Sequence, residues 1–429
     1  MAENNWLIFL HIPFLLALLW LGGRWLPLPL RNWARLGGLL RVSAGLLLGW
    51  LYQHAWDGGG DTWGYHAEAL RLWELLSDSP GAYFEVFLGK VPPGEWLFAR
   101  QPRALFFAAV MAFPVALAGG NYYIASAYVT LVSWLGLMIG MRGLHRAGYA
   151  VGPWLVALCL WPSIIFWSSG ILKETLMLGV IGVILSQLPM LLGQASLRGY
   201  RMLLLLITFW FLWQLNYYVA GVAFASLGAL SLGQWVEKRF MSQKLAWWCF
   251  GGGWLLLLAI ASITYPKLYV PVVLQSLYDN YLLFHALGDA PQVVSYPFWD
   301  GTLVGALLSV PTVLGFGLFW PLPGGHWSPS SLLAGLENLT LLVMVVVAAV
   351  NGKRNKGQGS WGITRIQASG LIYGLVMLLF VGLATPNLGT WMRYKVMYLP
   401  LLIAWLLPHL GTSWVKKFRL PFSDLGARS

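Results

Sequence analysis

Apolar runs of bilayer-crossing length recur along the chain with no long polar stretch between them. In hydrocarbon every backbone N–H and C=O must be paired within its own segment, so a crossing takes a helix of roughly 20 apolar residues. Eleven runs qualify: 5–22, 37–55, 122–140, 149–167, 171–192, 202–216, 217–234, 245–264, 332–350, 366–384 and 395–409. The sixth and seventh form a tight pair around Asn216-Tyr217-Tyr218. Charged residues make up 10% of the 429, whereas a soluble domain carries roughly 25%, so a water-facing surface could not be covered. The expectation is an all-α polytopic membrane protein built as a single domain over 1–429. No repeat of fixed period or low-complexity segment is visible.

Charge sets the expected orientation. The net charge of +12 would suit a nucleic-acid binder, but the cations sit in short clusters between apolar runs, which is the positive-inside signature. Runs 104–118 and 302–320 are set aside as interfacial or re-entrant helices. As spans they would place Arg142 and Arg146, or Lys353, Arg354, Lys356 and Arg365, opposite the other basic loops. Two large outer loops then emerge, 56–121 and 265–331. The inner loops take 19 of the 27 Lys and Arg, Arg41 counted among them, and the outer side takes 13 of the 15 acids, Glu337 included. This puts the N-terminus outside, as a retained helix rather than a cleaved signal, and the C-terminus in the cytoplasm. The two cysteines, Cys159 and Cys249, lie in separate apolar runs and suggest no disulfide framework.

The candidate chemistry gathers on the outer side. Loop 56–121 opens Trp56-Asp57-Gly58-Gly59-Gly60-Asp61-Thr62-Trp63-Gly64-Tyr65-His66. Either Asp57 or Asp61 can take a proton from an acceptor hydroxyl; alternatively Asp61 N-caps the following helix and the glycines form a turn. Residues 62–78 read as an amphipathic helix, with Tyr65, Ala69, Leu72, Trp73 and Leu76 on one side and Glu68, Arg71 and Asp78 on another. Tyr65 and His66 are candidate substrate contacts, since no metal-ligand spacing accompanies the histidine. The run Trp161-Pro162-Ser163 through Ser168-Ser169-Gly170-Ile171-Leu172-Lys173-Glu174 puts Lys173 and Glu174 at the mouth of the fifth span. There they serve either a site or the helix dipole and lipid headgroups. Arg393, Tyr394 and Lys395, with Arg100 and Arg103, put cations on the disfavoured side, as a phosphate ligand or lipid headgroups would explain. The stretch Phe319 to Trp327 offers aromatic and proline content for an acceptor groove or a plain turn.

At these residues the chain resembles the GT-C superfamily of integral-membrane glycosyltransferases, in the bacterial branch related to protein O-mannosyltransferases and aminoarabinose transferases. The likeness rests on Asp57 and Asp61 in the first large loop, the juxtamembrane helix 104–118, the Pro-Ser…Trp-Ser-Ser-Gly-Ile-Leu-Lys-Glu run, and the late Asn-Leu-Gly-Thr…Arg-Tyr-Lys segment. It spans roughly 37–192 and, more weakly, 300–409. The resemblance implies a polyprenyl-phosphate sugar donor, an acceptor glycan, lipid or protein, a loop acid as general base, and a periplasm-facing site in a bacterial inner membrane. No cofactor is expected, and a divalent metal stays open. Here the paired acids are separated by glycines, and Glu174 stands where many members carry Asp. The catalytic candidates are therefore Asp57, Asp61 and Glu174. The substrate-binding candidates are Tyr65, His66, Arg100, Arg103, Lys173, Arg393, Tyr394 and Lys395. Competing expectations are a polymerase or ligase using lipid-linked glycans, a lipid or glycan transporter, and a structural membrane partner. The transporter predicts polar groups through the mid-membrane.

Overall fold

A computed structural model describes residues 6–56, 60–92, 94–196, 198–287, 293–323, 329–354 and 364–410. Helix α1 (Trp6–Gly23) packs with α2 (Arg31–His54), which leads to α3 (Gly60–Asp78), α4 (Pro80–Val86) and α5 (Pro102–Leu117). Residues 62–78, expected as a helix, form α3, and Tyr65, Ala69 and Leu72 are buried as expected, with Trp73 left partly exposed. Glu68, assigned to the polar face, is buried instead, and its carboxylate accepts the Phe98 backbone N–H at 3.2 Å. Run 104–118 forms α5 and its C-cap Ala118, and Ala104, Phe107, Ala108 and Ala112 are shut into the core against α3.

The centre of the molecule is α6 (Tyr122–Arg146). The fourth expected span, 149–167, is instead broken into α7 (Gly152–Leu155), a wide turn Val156–Leu160 and α8 (Pro162–Trp167). Pro162 explains the break: it has no N–H, and its ring forces Trp161 into extended backbone, φ −81° and ψ 121°. The fifth run likewise divides into α9 (Lys173–Leu185) and α10 (Leu188–Leu191), with Pro189 just inside the second piece. Helices α6 and α9 lie almost backbone to backbone: a Cβ built on Gly136 would stand 2.3 Å from the Gly179 carbonyl oxygen. Such small-residue seams are how membrane helices come this close.

The second half follows as α11 (Gly199–Leu215), α12 (Tyr217–Phe240), α13 (Gln243–Thr264), α14 (Val270–Leu287), α15 (Leu303–Phe319), α16 (Pro329–Arg354), α17 (Arg365–Ala384), α18 (Leu388–Tyr394) and α19 (Leu399–Leu406). Asn216 N-caps α12, accepting the Val219 N–H at 3.2 Å. Helix α14 lies in a stretch expected to be loop. Among the described residues there is no strand, only an isolated bridge between Val293 and Asn387. The described residues are thus all-helical, and six segments among them are long and apolar enough to cross a membrane: Leu28–His54, Tyr122–Arg146, Tyr217–Phe240, Gln243–Thr264, Ser331–Asn351 and Arg365–Ala384. Shorter apolar helices include Pro102–Leu117, Gly199–Leu215 and Leu303–Phe319.

Charges segregate along the bundle. Arg365 pairs with Glu237, and Lys238 donates to the Gly193 carbonyl at 2.8 Å. The Gly143 Cβ position meets Ser186. These contacts gather the ends of α6, α9 and α12 and the starts of α11, α13 and α17, and with them Arg142, Arg146, Arg198, Lys238, Arg239, Lys244 and Arg365. Arg41 and Glu337 correct the charge count, because both lie within helices rather than in loops.

Candidate functional site

Three side chains far apart in sequence meet at the end opposite that basic cluster. Arg393 Nη1 donates to Asp61 Oδ2 at 2.7 Å, and its Nη2 to Glu174 Oε2 at 2.9 Å. Each arrives on a short, braced segment. Asp61 stands in the first turn of α3, after Gly60 with φ +39°, a left-handed backbone that glycine adopts freely. Its neighbours dock that turn: the Thr62 and Tyr122 hydroxyls lie 2.5 Å apart, and the Trp63 indole donates to the Gly49 carbonyl at 3.0 Å. Glu174 occupies the first turn of α9, where the helix dipole favours an acid. Arg393 rides on α18, whose N-cap Asn387 accepts from the Gly389 and Thr390 N–H groups at 3.0 and 3.2 Å.

The two carboxylates are unequal. Glu174 is 1% exposed and Asp61 53% exposed, while the Arg393 side chain is 10% exposed. A buried carboxylate held by a guanidinium is a fixed charge, whereas a half-open one can meet an incoming group. Burial opposes the Arg393 charge, but the Glu174 carboxylate, then Tyr394 and Asp61, outweigh it and hold the guanidinium well above its ordinary value. Tyr65 and Tyr394 are pushed up, chiefly by burial, so both keep their phenolic protons.

Two further cations face this end. Lys173 Nζ lies 5.8 Å from the centroid of the Tyr65 ring. The Arg103 guanidinium sits 4.2 Å over the Tyr217 ring, and its Nε is buried with no hydrogen bond among the described residues. Neither lysine nor arginine has an ion-pair partner among those residues. An aromatic rim adjoins them: Trp56 stacks on Trp167, with centroids 6.2 Å apart, and Tyr52 meets Trp56 edge-on.

The remaining sequence candidates fall elsewhere. Asp57 lies outside the described residues, as do residues 324–327 of the stretch Phe319 to Trp327. Asp61 is not the N-cap of α3, because the helix already begins at Gly60, and its carboxylate accepts from Arg393. His66 is buried and bonds the Gly120 carbonyl at 3.0 Å. Burial pulls its ring below the usual histidine range, against the Gly120 carbonyl. Tyr65 is walled in by Phe98 and Phe107, and Lys173 lies over its ring. Arg100 is exposed and unpaired among the described residues. Lys395 is corrected most sharply. It points away from the triad, donating to Asn338 Oδ1 at 2.9 Å and to the Trp320 and Leu318 carbonyls at 3.2 and 3.4 Å.

Sequence reasoning missed Tyr52, whose ring lies against Gly60 just before Asp61, and three residues that brace the site. Arg41 donates to the carbonyls of Leu158 (3.0 Å) and Ser168. Glu337 accepts from Trp161 and Ser163, and Asn338 from Lys395. Ionisable groups inside apolar runs were the available signal. A cavity of about 240 Å³, lined by Tyr149, Trp154, Leu227, Tyr373 and Trp405 among others, lies toward the basic end and includes none of the triad. No family model, curated protein or solved structure matches the chain.

Proposed function

We propose that the protein is a membrane glycosyltransferase of GT-C type, transferring a sugar from a polyprenyl-phosphate donor to an acceptor hydroxyl. The observation that carries this reading is the convergence of Asp61, Glu174 and Arg393 at one rim of an apolar helical bundle, beside two cations without acidic partners among the described residues. Asp61 is the half-open carboxylate and acts as general base. The acceptor oxygen attacks the anomeric carbon, the bond from that carbon to the phosphate oxygen breaks, and configuration inverts. The acceptor proton passes to Asp61, and polyprenyl phosphate leaves with the bonding pair. Both terminal nitrogens of Arg393 are already taken by carboxylates, so its part is to orient Asp61. Lys173 and Arg103 are then the residues to receive the donor phosphate and stabilise it as charge builds. Trp56 and Trp167 supply flat apolar surface for a sugar ring.

In this reading the eleven apolar runs all lie in the bilayer, some as broken helices, and the rim faces the periplasm of a bacterial inner membrane. A transporter is the second reading, and Arg41 and Glu337 inside membrane helices favour it. Both are, however, engaged by the segment 158–168 rather than turned to a pathway. The test uses membranes containing the protein and a labelled polyprenyl-phosphate hexose. Asp61→Asn should lower transfer about 100-fold or more, the lower range for losing a positioned base. Undiminished transfer in that variant, or sugar movement without any covalent product in the unmodified protein, rules the assignment out.

A further inference from the structure

We infer that Glu337 and Asn338, neighbours on α16, are positioning residues that hold the Glu174 segment and the Arg393 segment in mutual register. The inference rests on the transferase reading only for its effect on activity; the clamp itself is geometric.

Glu337 reaches one of the two segments. Its Oε2 accepts the Ser163 backbone N–H at 3.0 Å, and its Oε1 accepts from the Ser163 hydroxyl and the Trp161 indole. Those groups form the start of α8, eleven residues before Glu174, and no side chain of α8's own N-cap satisfies them. The far end of the segment is also fixed, by Arg41 on the Ser168 carbonyl and by Thr130 Oγ1 accepting the Gly170 N–H at 2.7 Å.

Asn338 reaches the other segment. Its Oδ1 accepts from Lys395 Nζ at 2.9 Å, and its Nδ2 donates to the Pro321 carbonyl at 2.9 Å. Lys395 is two residues past Arg393 and also ties to the Leu318 and Trp320 carbonyls at the end of α15. A polar pair in an apolar span is costly unless its bonds are made, and here both side chains are spent on the backbones or anchors of the two site-bearing segments. Successive helix positions point about 100° apart, so α16 can hold one segment on each side. Helix α8 packs directly against α18 and the turn 395–397, which completes the bracket. Neither Glu337 nor Asn338 is bonded to Asp61, Glu174 or Arg393, so any effect on the triad passes through the segments.

The test places spin labels at Phe166→Cys on α8, half-buried in the segment that leads to Glu174, and at the exposed Gly389→Cys on α18, in a Cys249→Ser background of the full chain in nanodiscs. The unmodified clamp should give one narrow interlabel distance. Glu337→Ala and Asn338→Ala should each broaden it and lower hexose transfer roughly tenfold, the rate equivalent of about one lost hydrogen bond. Glu337→Gln should restore part of the narrow distance, because its one amide oxygen can still accept from Trp161 and the Ser163 hydroxyl while its NH2 loses the bond from the Ser163 backbone N–H. Should Glu337→Ala not accumulate, Trp161→Phe with Ser163→Ala removes two donors from the opposite side and should broaden the distance in the same way. A distance left narrow by the alanine variants, or a glutamine variant as disordered as alanine, overturns the clamp. A broadened distance in a protein that never transfers sugar upholds the clamp and removes the transferase reading alone.

Discussion

The pairing of Arg393 with one buried and one half-open acid decides what each residue can do. Taking charges out of water costs several kcal/mol per ion even after relaxation, and attraction repays this only with good geometry. Arg393 Nη2 meets Glu174 at 2.9 Å, so that cost is offset, but removing one partner leaves the other uncompensated. Arg393→Ala should therefore destabilise the protein by about 3–5 kcal/mol. Arg393→Met combined with Glu174→Leu should recover most of that loss while transfer stays absent. Thermal unfolding in detergent checks the first, the hexose assay the second, and a double variant no more stable than the single one contradicts the account. The residues themselves were legible: Asp61, Glu174 and Arg393 stand out as charges at the edges of apolar runs. Their pairing was not, because 332 residues separate Asp61 from Arg393 and no local period links them. Lys395 shows the same limit. Two residues after Arg393, it turns to the opposite side, to carbonyls at the end of α15 that the sequence gives no means of placing beside it.

At the scale of elements, the apolar runs named most helices, and prolines set where they stop. Runs 149–167 and 171–192 are long enough to span on composition alone, yet Pro162 and Pro189 divide them, and the first break creates the segment that delivers Glu174. Helix α14 was overlooked because its apolar residues are interrupted by Gln275, Asp279 and Asn280. The seam of α6 and α9 was written in Gly136, Gly140, Gly179 and Gly182, but a glycine series does not name its partner helix. Since a Cβ at Gly136 falls within 2.3 Å of backbone, no rotamer relieves the clash. Gly136→Leu should push α9 away from α6, carry Lys173 and Glu174 out of reach of the Arg393 end, and cost at least the 1–3 kcal/mol typical of overpacking. Val132→Leu, on an exposed position one turn earlier in α6, should leave melting and transfer unchanged. Equal behaviour of the two variants would show that the seam does not set the site.

The whole molecule is polar along its long direction in a way that local motifs do not express. One end carries the basic turns around Arg146, Arg198, Lys238, Lys244 and Arg365, brought together by the Arg365–Glu237 pair and the Lys238–Gly193 bond. The other carries the triad with Lys173 and Arg103. Positive loops are retained in the cytoplasm as membrane helices insert, so the basic end is expected inside and the triad outside, the side on which the proposed transfer would take place. Charge counting alone reached this orientation while misplacing Arg41 and Glu337, because two buried residues weigh little against the loop clusters. A direct measurement separates the orientations. With Cys249→Ser as background, Ser77→Cys at the exposed end of α3 should react with a membrane-impermeant maleimide on intact cells. Gln243→Cys, the exposed first residue of α13 beside the basic turn, should react only after the membrane is opened. The reverse order would place the carboxylates in the cytoplasm, and the acceptor would then have to be a cytoplasmic molecule meeting Asp61 from the side that also holds nucleotide sugars.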